Sequence, residues 1–309
     1  MNLAIRGIAG NLGEKAADTF ADDQHKDLKA DFIMANPPFN QKDWRAETEL
    51  KDDPRWMGYD VPPKSNANYG WILNMASKLS DNGMAGFILA NGALSGGGEE
   101  YKIRRKLIEN NLVEAILVLP RNLFYTTDIS VTLWILNKNK TAQSKNIGDV
   151  KRQLRNREKE ILFMDLRQMG EPFEKKFTQF SEADIKKVAE TFHNWQQGIM
   201  VNEKSMVNDE GLMVNEKSKS KSMVNDKGLM VNEKGDNNIN NLPFTINNYN
   251  VPEFCYSASL EEIAAKDFSL VPSKYIEFVN RDENIDFDEK MTRRIQVINA
   301  TPSLFRVAF

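Results

Sequence analysis

The chain has 309 residues, 41% of them apolar and 28% charged, enough to build one large core or a core with appendages. A net charge of −3 excludes a basic footprint spread over the whole chain, so any contact with nucleic acid is local or shared with a partner. No apolar run approaches the ~18 residues of a membrane span, and one cysteine (Cys255) with two histidines (His25, His193) leaves little material for zinc clusters or Cys-His nucleophiles.

The opening MNLAIRGIAGNLG lacks the apolar segment and cleavage site of a secretory signal, which with the lone cysteine predicts a reducing, cytoplasmic setting. The acidic loop ADDQHKD around His25 reads as a solvated loop or as a metal-ligating one. DFIMA (31–35), AGFILA (85–90) and VEAILVLP (113–120) are nearly continuous apolar runs, the pattern of strands buried on both faces, and ISVTLWIL (129–136) is a fourth strand. Between them YGWILNMASKLS sets Trp71, Ile72, Met75, Ala76 and Leu79 at helical spacing, and EEYKIRRKLIENN does so with Ile103, Leu107 and Ile108. These read as crossover helices. The link from the third strand to the fourth holds about eight residues, too few for a parallel crossover. A mostly parallel α/β sheet ending in one reversed strand is predicted.

Downstream, eight bases from Lys138 to Lys159 face three acids, Asp149, Glu158 and Glu160. This surplus reads as a solvated loop or as a phosphate-contacting patch. EILFMDLRQMG is another buried strand, and SEADIKKVAETFHNWQ an amphipathic helix opened by Ser181, after which the folded unit is expected to close near Gln197. Residues 1–140 and 141–198 are thus two parts of one domain. From Met200 to Gly235 five imperfect Met-Val copies recur at uneven spacing and cannot keep an apolar seam, so residues 199–247 read as a disordered linker. Residues 248–309 form a carboxyl-terminal tail, partly helical, with a capped helix at Ser259 and an extended stretch before Pro272.

The chemistry concentrates in ADFIMANPPFNQKDW (30–44), where an apolar strand stops at Asn36, Pro37, Pro38 and Phe39. A rigid turn explains this local pattern, and so does a site, because strand ends in open α/β sheets are where ligands bind. The exocyclic amine of a nucleobase is a poor nucleophile, since its lone pair is delocalised into the ring. Two acceptors, the Asn36 side-chain oxygen and the Pro37 carbonyl, can each take one amine hydrogen and orient that lone pair toward an electrophilic methyl group. The prolines hold the carbonyls rigidly, and Phe39 offers a face for a flipped-out base.

This loop resembles the NPPF/Y motif of amino-methyltransferases that use S-adenosylmethionine. The wider runs MNLAIRGI, DTFADDQHKDLKADFIMANPPFN, NANYGWILNMASKLSDNGMAGFILANGALS, IRRKLIENNLVEAILVLPRNLFYTTDISVTLWILNKNK and ILFMDLRQMG look like the adenine-specific modification subunit of type I restriction-modification systems. FCYSASLEEIAAKDFSLVPSKYIEF resembles that family near its carboxyl end. The resemblance implies a class I S-adenosylmethionine-dependent methyltransferase sheet, Rossmann-like, with double-stranded DNA, a specificity subunit and a restriction subunit as partners. It puts the catalytic loop on Asn36, Pro37, Pro38 and Phe39 and the acidic position near the cofactor's adenine on Asp18, where a helix-capping aspartate is the alternative. Asn91 in LANG then lines the pocket, or simply makes an Asn-Gly turn. The family's glycine-rich cofactor turn and ribose-binding acid precede MNLAIRGI, and Gly7, Gly10 and Gly13 have the wrong spacing to replace them. The sheet is therefore expected to be incomplete at its amino-terminal half, with a separately encoded upstream half as a possible partner. Two functions follow: a DNA adenine methylase subunit, or a non-catalytic remnant or assembly module of one. An RNA or protein methylase shares the loop but not the flanking runs.

Overall fold

Apolar runs bounded by turn residues form the strands and the stretches of helical period form the helices. The computed structural model describes residues 2–198 apart from 126, 148, 149 and 175, together with residues 223–224, 230–231 and 249–279. A single turn, α1 (Asn2–Ile5), is followed by β1 (Ala30–Ala35), α2 (Asn68–Ser77), β2 (Leu79–Ala90), α3 (Gly98–Glu109), β3 (Val113–Val118) and β4 (Val131–Asn137). The hairpin β5 (Gln143–Ile147) and β6 (Val150–Leu154) leads to β7 (Glu160–Asp165), and the hairpin β8 (Glu171–Phe173) and β9 (Phe177–Gln179) leads to α4 (Glu182–Gln197). Within the repeats β10 (Met223–Val224) pairs antiparallel with β11 (Met230–Val231), and the rest of the expected linker lies outside the described residues. The chain then forms β12 (Cys255–Ser259) and α5 (Leu260–Ala265).

Six strands make one sheet in the order β1-β2-β4-β3-β7-β12. β1, β2, β3 and β7 share a direction, with β4 and β12 reversed. The antiparallel pairing of β3 with β4 follows the short link. The expectation that the reversed strand ends the sheet is wrong: β4 is inserted between β2 and β3. Its Trp134 and Leu136 are fully buried in the cluster on the helix-covered face, and its backbone is paired on both edges, with β2 and with β3. β12 adds a second reversed strand beside β7, so the sheet continues past residue 197.

β1 and β2 pair in parallel with a register break between Ala30 and Phe32. Gly83 sits at that break, where an added Cβ would lie 2.7 Å from the Ala30 carbonyl oxygen, so only glycine lets the backbones approach. One face of the sheet is covered throughout. Ile72 and Leu73 of α2, Ile103 and Leu107 of α3 and Ile263 of α5 share a buried cluster with Phe87, Leu89, Ile116, Trp134 and Phe163. Each such side chain contributes roughly 1.5–3 kcal/mol when fully buried. Capping boxes open the last two helices, Ser181 with Asp184 and Ser259 with Glu262, as the sequence pattern predicts.

The other face is best covered over β3 and β7, where Trp195 of α4, Tyr249 and Phe254 pack on Ala115, Leu117, Leu162 and Met164; Val131 of β4 is also fully buried there, and Ile88, Leu133 and Ile135 are partly so. The prediction that residues 31–35 are buried on both faces therefore fails, with Phe32 68% and Met34 92% exposed. β1 is the edge strand, and no described helix crosses its second face.

The amino ends of the parallel strands carry a polar network. Glu114 and Arg157, both fully buried, pair at 2.9 Å, and Asn137 and Gln196 also donate to the Glu114 carboxylate. Lys140 Nζ donates to the carbonyls of Val113 at 2.9 Å and Glu160 at 2.6 Å, and burial pulls its pKa down to about 8. Arg155 pairs with Glu160 and donates to the Trp195 carbonyl. Three of the bases in the Lys138–Lys159 surplus are thus internal ties at the edge opposite Asn36. For Lys140, Arg155 and Arg157 the phosphate-patch reading is excluded.

Candidate active site

The carboxyl ends of β1 and β2 lie side by side, because the strands are parallel neighbours with Ala35 opposite Phe87. Asn36–Phe39 leaves β1 at this edge, and the 3-10 turn Asn91–Leu94 leaves β2. Asn36 is exposed, and its amide bonds no described residue; nor does any described donor take the Pro37 carbonyl, although the Pro37 ring is buried. Neither acceptor is spent within the described residues. Phe39 is half-buried and packs on the second core cluster, leaving part of its ring open.

A set of amides that sequence reasoning missed holds this loop. Asn40 adopts the left-handed region (φ 51°), and its backbone N–H donates to Asn68 Oδ1 at 3.0 Å. Its side-chain oxygen accepts from Asn68 Nδ2 at 2.9 Å and from Asn66 Nδ2 at 3.3 Å. Asn68 is fully buried in the first turn of α2, and Ala67 N–H donates to the Gln41 carbonyl at 2.9 Å. The signal was legible as NAN immediately before a helix. Asparagines on either side of a helix N-cap, here Asn66 and Asn68 around Ala67, point to bonds made outside the helix.

The residue expected near the cofactor's adenine, Asp18, is exposed, and its Oδ1 accepts from the N–H groups of Phe20 (2.8 Å) and Ala21 (2.9 Å). It closes a turn rather than capping a helix, since among the described residues no helix follows it before Pro54. Phe20 is buried between Trp44 and Trp71, with ring centroids at 4.4 and 4.3 Å, so the Asp18 turn is pinned near the start of α2. Arg55 fixes the same turn by donating to the Thr19 and Phe20 carbonyls, while Asp53 holds Arg55. Burial alone would raise the Asp53 pKa, but the hydrogen bonds from Arg55 keep it below the ordinary carboxylate value. Asn91 is half-buried, and its Oδ1 accepts from Thr132 Oγ1 at 2.6 Å. It closes the end of β2 against β4, with its NH₂ group left over.

S-adenosylmethionine presents an adenine, a ribose diol and a charged amino-acid tail. Among the described residues the Asn36 amide and the Asn91 NH₂ group make no hydrogen bond at this edge, whereas Asp18 spends one oxygen on its own turn. The glycines cannot serve the tail: Gly7 and Gly13 have φ of 66° and 85° but follow the four-residue α1 rather than a strand, and Gly13 abuts the Gln24 side chain. The described residues therefore fit part of the cofactor.

Beyond β3, Leu123 and Tyr125 line an open cavity with Phe173, Phe177 and Phe180 of the β8–β9 hairpin, which no sequence pattern flagged. Tyr125 meets Phe177 edge-on at 4.7 Å, and Thr178 N–H donates to the Asn122 carbonyl at 3.0 Å. Among the described residues no helix is long and apolar enough to cross a membrane.

A family model described as N-6 DNA Methylase matches residues 1–284. The chain belongs to the N-6 DNA methylase family. Among its relatives, the type I restriction enzyme HindI methylase subunit of Haemophilus influenzae is 36% identical over 293 residues, covering 94% of this chain and 52% of that protein. The MjaIX methylase subunit of Methanocaldococcus jannaschii is 32% identical over 295 residues, covering 94% and 42%. This N-6 DNA methylase chain thus spans about half the length of the curated relatives it matches. A solved methyltransferase subunit of a type I restriction-modification system from Streptococcus thermophilus has the same fold, with a TM-score of 0.61 and 22% identity over 90% of this chain and 45% of that one. The EcoKI M protein is similar at a TM-score of 0.54 and 16% identity, over 97% and 55%. An incomplete Rossmann-like sheet is what these comparisons and the strand order support.

Proposed function

We propose that this chain carries the adenine-binding side of a type I modification subunit, which methylates the exocyclic amine of an adenine flipped out of duplex DNA. The observation that carries the reading is the pair of unspent acceptors, Asn36 Oδ1 and the Pro37 carbonyl, at the carboxyl end of β1 beside the open Phe39 ring. S-adenosylmethionine, when bound, would supply an electrophilic methyl group whose bond to the sulfonium breaks as the N–C bond forms, the cofactor leaving as the neutral thioether. The flipped base stacks on Phe39, and its amine donates one N–H to each acceptor, which turns the nitrogen lone pair out of the ring plane. Asn36, being exposed, lets the surplus amine proton pass to water once the new N–C bond forms. Pro37 and Pro38 fix the carbonyl without adding a competing donor. The Asn40–Asn68 bonds keep the loop in place before the base arrives, and acceptors set in advance cost little reorganisation during the reaction.

The partners of this reading are a specificity subunit that selects the DNA sequence, a restriction subunit, and the polypeptide that completes the cofactor site, in the same chain or as a separately encoded upstream half, all in the cytoplasm. A remnant without catalysis is the second reading. It is favoured by the partial fit of the described residues to the cofactor, in which Asp18 is committed to its own turn. Calorimetric titration with S-adenosylmethionine separates the two readings. The chain alone is expected to give no measurable heat of binding, because a half-site offsets too little of the entropy of association. Binding and methyl transfer are expected when the remaining polypeptide and the specificity subunit are added. Micromolar binding by the chain alone overturns the half-site account, and binding without any methyl transfer in the assembled complex favours the remnant.

A further inference from the structure

The two loops at the carboxyl ends of β1 and β2 share one support. Asn68 and Tyr69 are neighbours in the first turn of α2, and both are fully buried. Asn68 holds Asn40, just past the Asn36 loop. Tyr69 Oη donates to the Ala93 carbonyl at 2.6 Å, so the same turn also holds the residues that leave β2 after Ala90. One helical turn thus sets the two loops relative to each other.

That turn is braced by Arg104 of α3, which is 2% exposed. Its Nη1 donates to the Gly96 carbonyl at 2.7 Å and sits 3.4 Å from Tyr69 Oη, while its Nε donates to the Phe268 carbonyl at 2.9 Å. A second tie runs beside it, from Leu270 N–H to the Leu94 carbonyl at 2.9 Å. Burying a cation is costly. The rigid guanidinium fork nevertheless reaches three separate segments at once, which a lysine cannot do.

Phe268 adds an independent observation. α5 is closed by Asp267 in the left-handed region (φ 56°), with Phe268 N–H donating to the Ile263 carbonyl at 2.9 Å. That closing turn needs only Asp267 in this region, yet Phe268 follows at φ 48°. A bulky side chain rarely adopts this conformation, which persists only where the surroundings impose it. One face of α3 does so: Tyr101 meets the Phe268 ring edge-on at 6.5 Å, Arg105 lies over it at 5.1 Å, and Arg104 takes the carbonyl. The strained residue aims its carbonyl at the brace.

We infer that Arg104 is a positioning residue. Through it and Tyr69, residues 268–270 of the carboxyl-terminal segment clamp residues 91–97 to the first turn of α2 and so fix them beside the Asn36 loop. The brace rests on the fold alone, and its effect on methyl transfer rests on the proposed function.

Amide hydrogen exchange in the chain by itself tests the brace. Arg104→Lys keeps the charge without the fork, and Tyr69→Phe keeps the ring without the hydroxyl. Each is expected to speed exchange at the Gly96 and Asn40 N–H groups about tenfold while β3 and β7 stay as protected as in the wild type. In the assembled modification enzyme each is expected to lower kcat about tenfold and to leave KM for DNA within about twofold. Acceleration spread evenly over β3 and β7 means that Arg104 only stabilises the fold, and unchanged exchange at Gly96 and Asn40 in both variants means that there is no brace. Either result overturns the inference, as does wild-type kcat in both variants when Asn36→Ala has lost turnover. Wild-type turnover in Asn36→Ala removes the proposed chemistry instead, and exchange then decides the brace by itself.

Discussion

The two ends of the parallel strands use polar groups in opposite ways. At the amino end every carboxylate oxygen of Glu114 is engaged, by Arg157, Asn137 and Gln196, and Lys140 is committed to two carbonyls. At the carboxyl end Asn36 and the Pro37 carbonyl are left open, while their neighbours Asn40, Asn66 and Asn68 bond to one another. A buried charge with a missing partner is a liability, so the first end is closed. An acceptor already satisfied cannot hold a substrate, so the second end is kept open by groups that satisfy each other. On the proposed function, the chain separates polar groups that hold the fold from polar groups that meet a ligand.

The contrast is sharpest if Glu114 is removed. Glu114→Ala leaves the Arg157 guanidinium buried without its carboxylate, and about 3–5 kcal/mol of stability is expected to be lost in denaturant unfolding. A change below about 1 kcal/mol would show that water reaches Arg157. Phe39→Ala tests the open end: loss of one stacking face is expected to cost about 1–3 kcal/mol of base binding, roughly tenfold to a hundredfold in kcat/KM of the complete enzyme. The unfolding midpoint should move less, since the ring is only half-buried. Asn68→Ala probes the boundary between the two uses. Losing its two bonds to Asn40, whose side-chain oxygen keeps only Asn66, is expected to cost about 1–3 kcal/mol in the unfolding of this chain, with a fall in turnover larger than the stability loss alone explains.

The smallest effect is in acid. Hydrogen bonds from Arg55 and Lys78 outweigh burial and hold Asp53 and Asp23 below their ordinary pKa of 3.8 in the fold. A depressed folded pKa stabilises the native state above the unfolded value, and that stability is lost as pH falls through the folded one. Stability should therefore hold above pH 4 and decline below it, with the decline shallower in Asp53→Asn. Identical acid profiles for the two proteins would exclude Asp53 as a contributor.

Much of this was legible in the chain. The strands, the crossover helices and the capped starts at Ser181 and Ser259 follow from local pattern, because period and caps are local quantities. The place of β4 was not, since a short link fixes the direction of pairing but not what else lies on the strand's far edge. Nor was the exposure of β1, because apolar residues read the same whether their cover belongs to the described fold or not. The loop from Asn36 to Phe39 announced itself by its odd chemistry at a strand end. Its support by Asn66 and Asn68 is a contact across 28 residues and left only the NAN cue. The bases at 140, 155 and 157 gave a misleading surface signal, because charge counting does not see which cations find buried partners.

The central claim is that Asn36 waits for an amine that it holds chiefly in the transition state. Its most direct test is the turnover of the assembled modification enzyme on cognate duplex with Asn36→Ala, measured beside DNA affinity and the unfolding midpoint. Turnover is predicted to fall about a hundredfold or more with affinity and stability unchanged. Wild-type turnover in the Asn36→Ala enzyme would contradict the account.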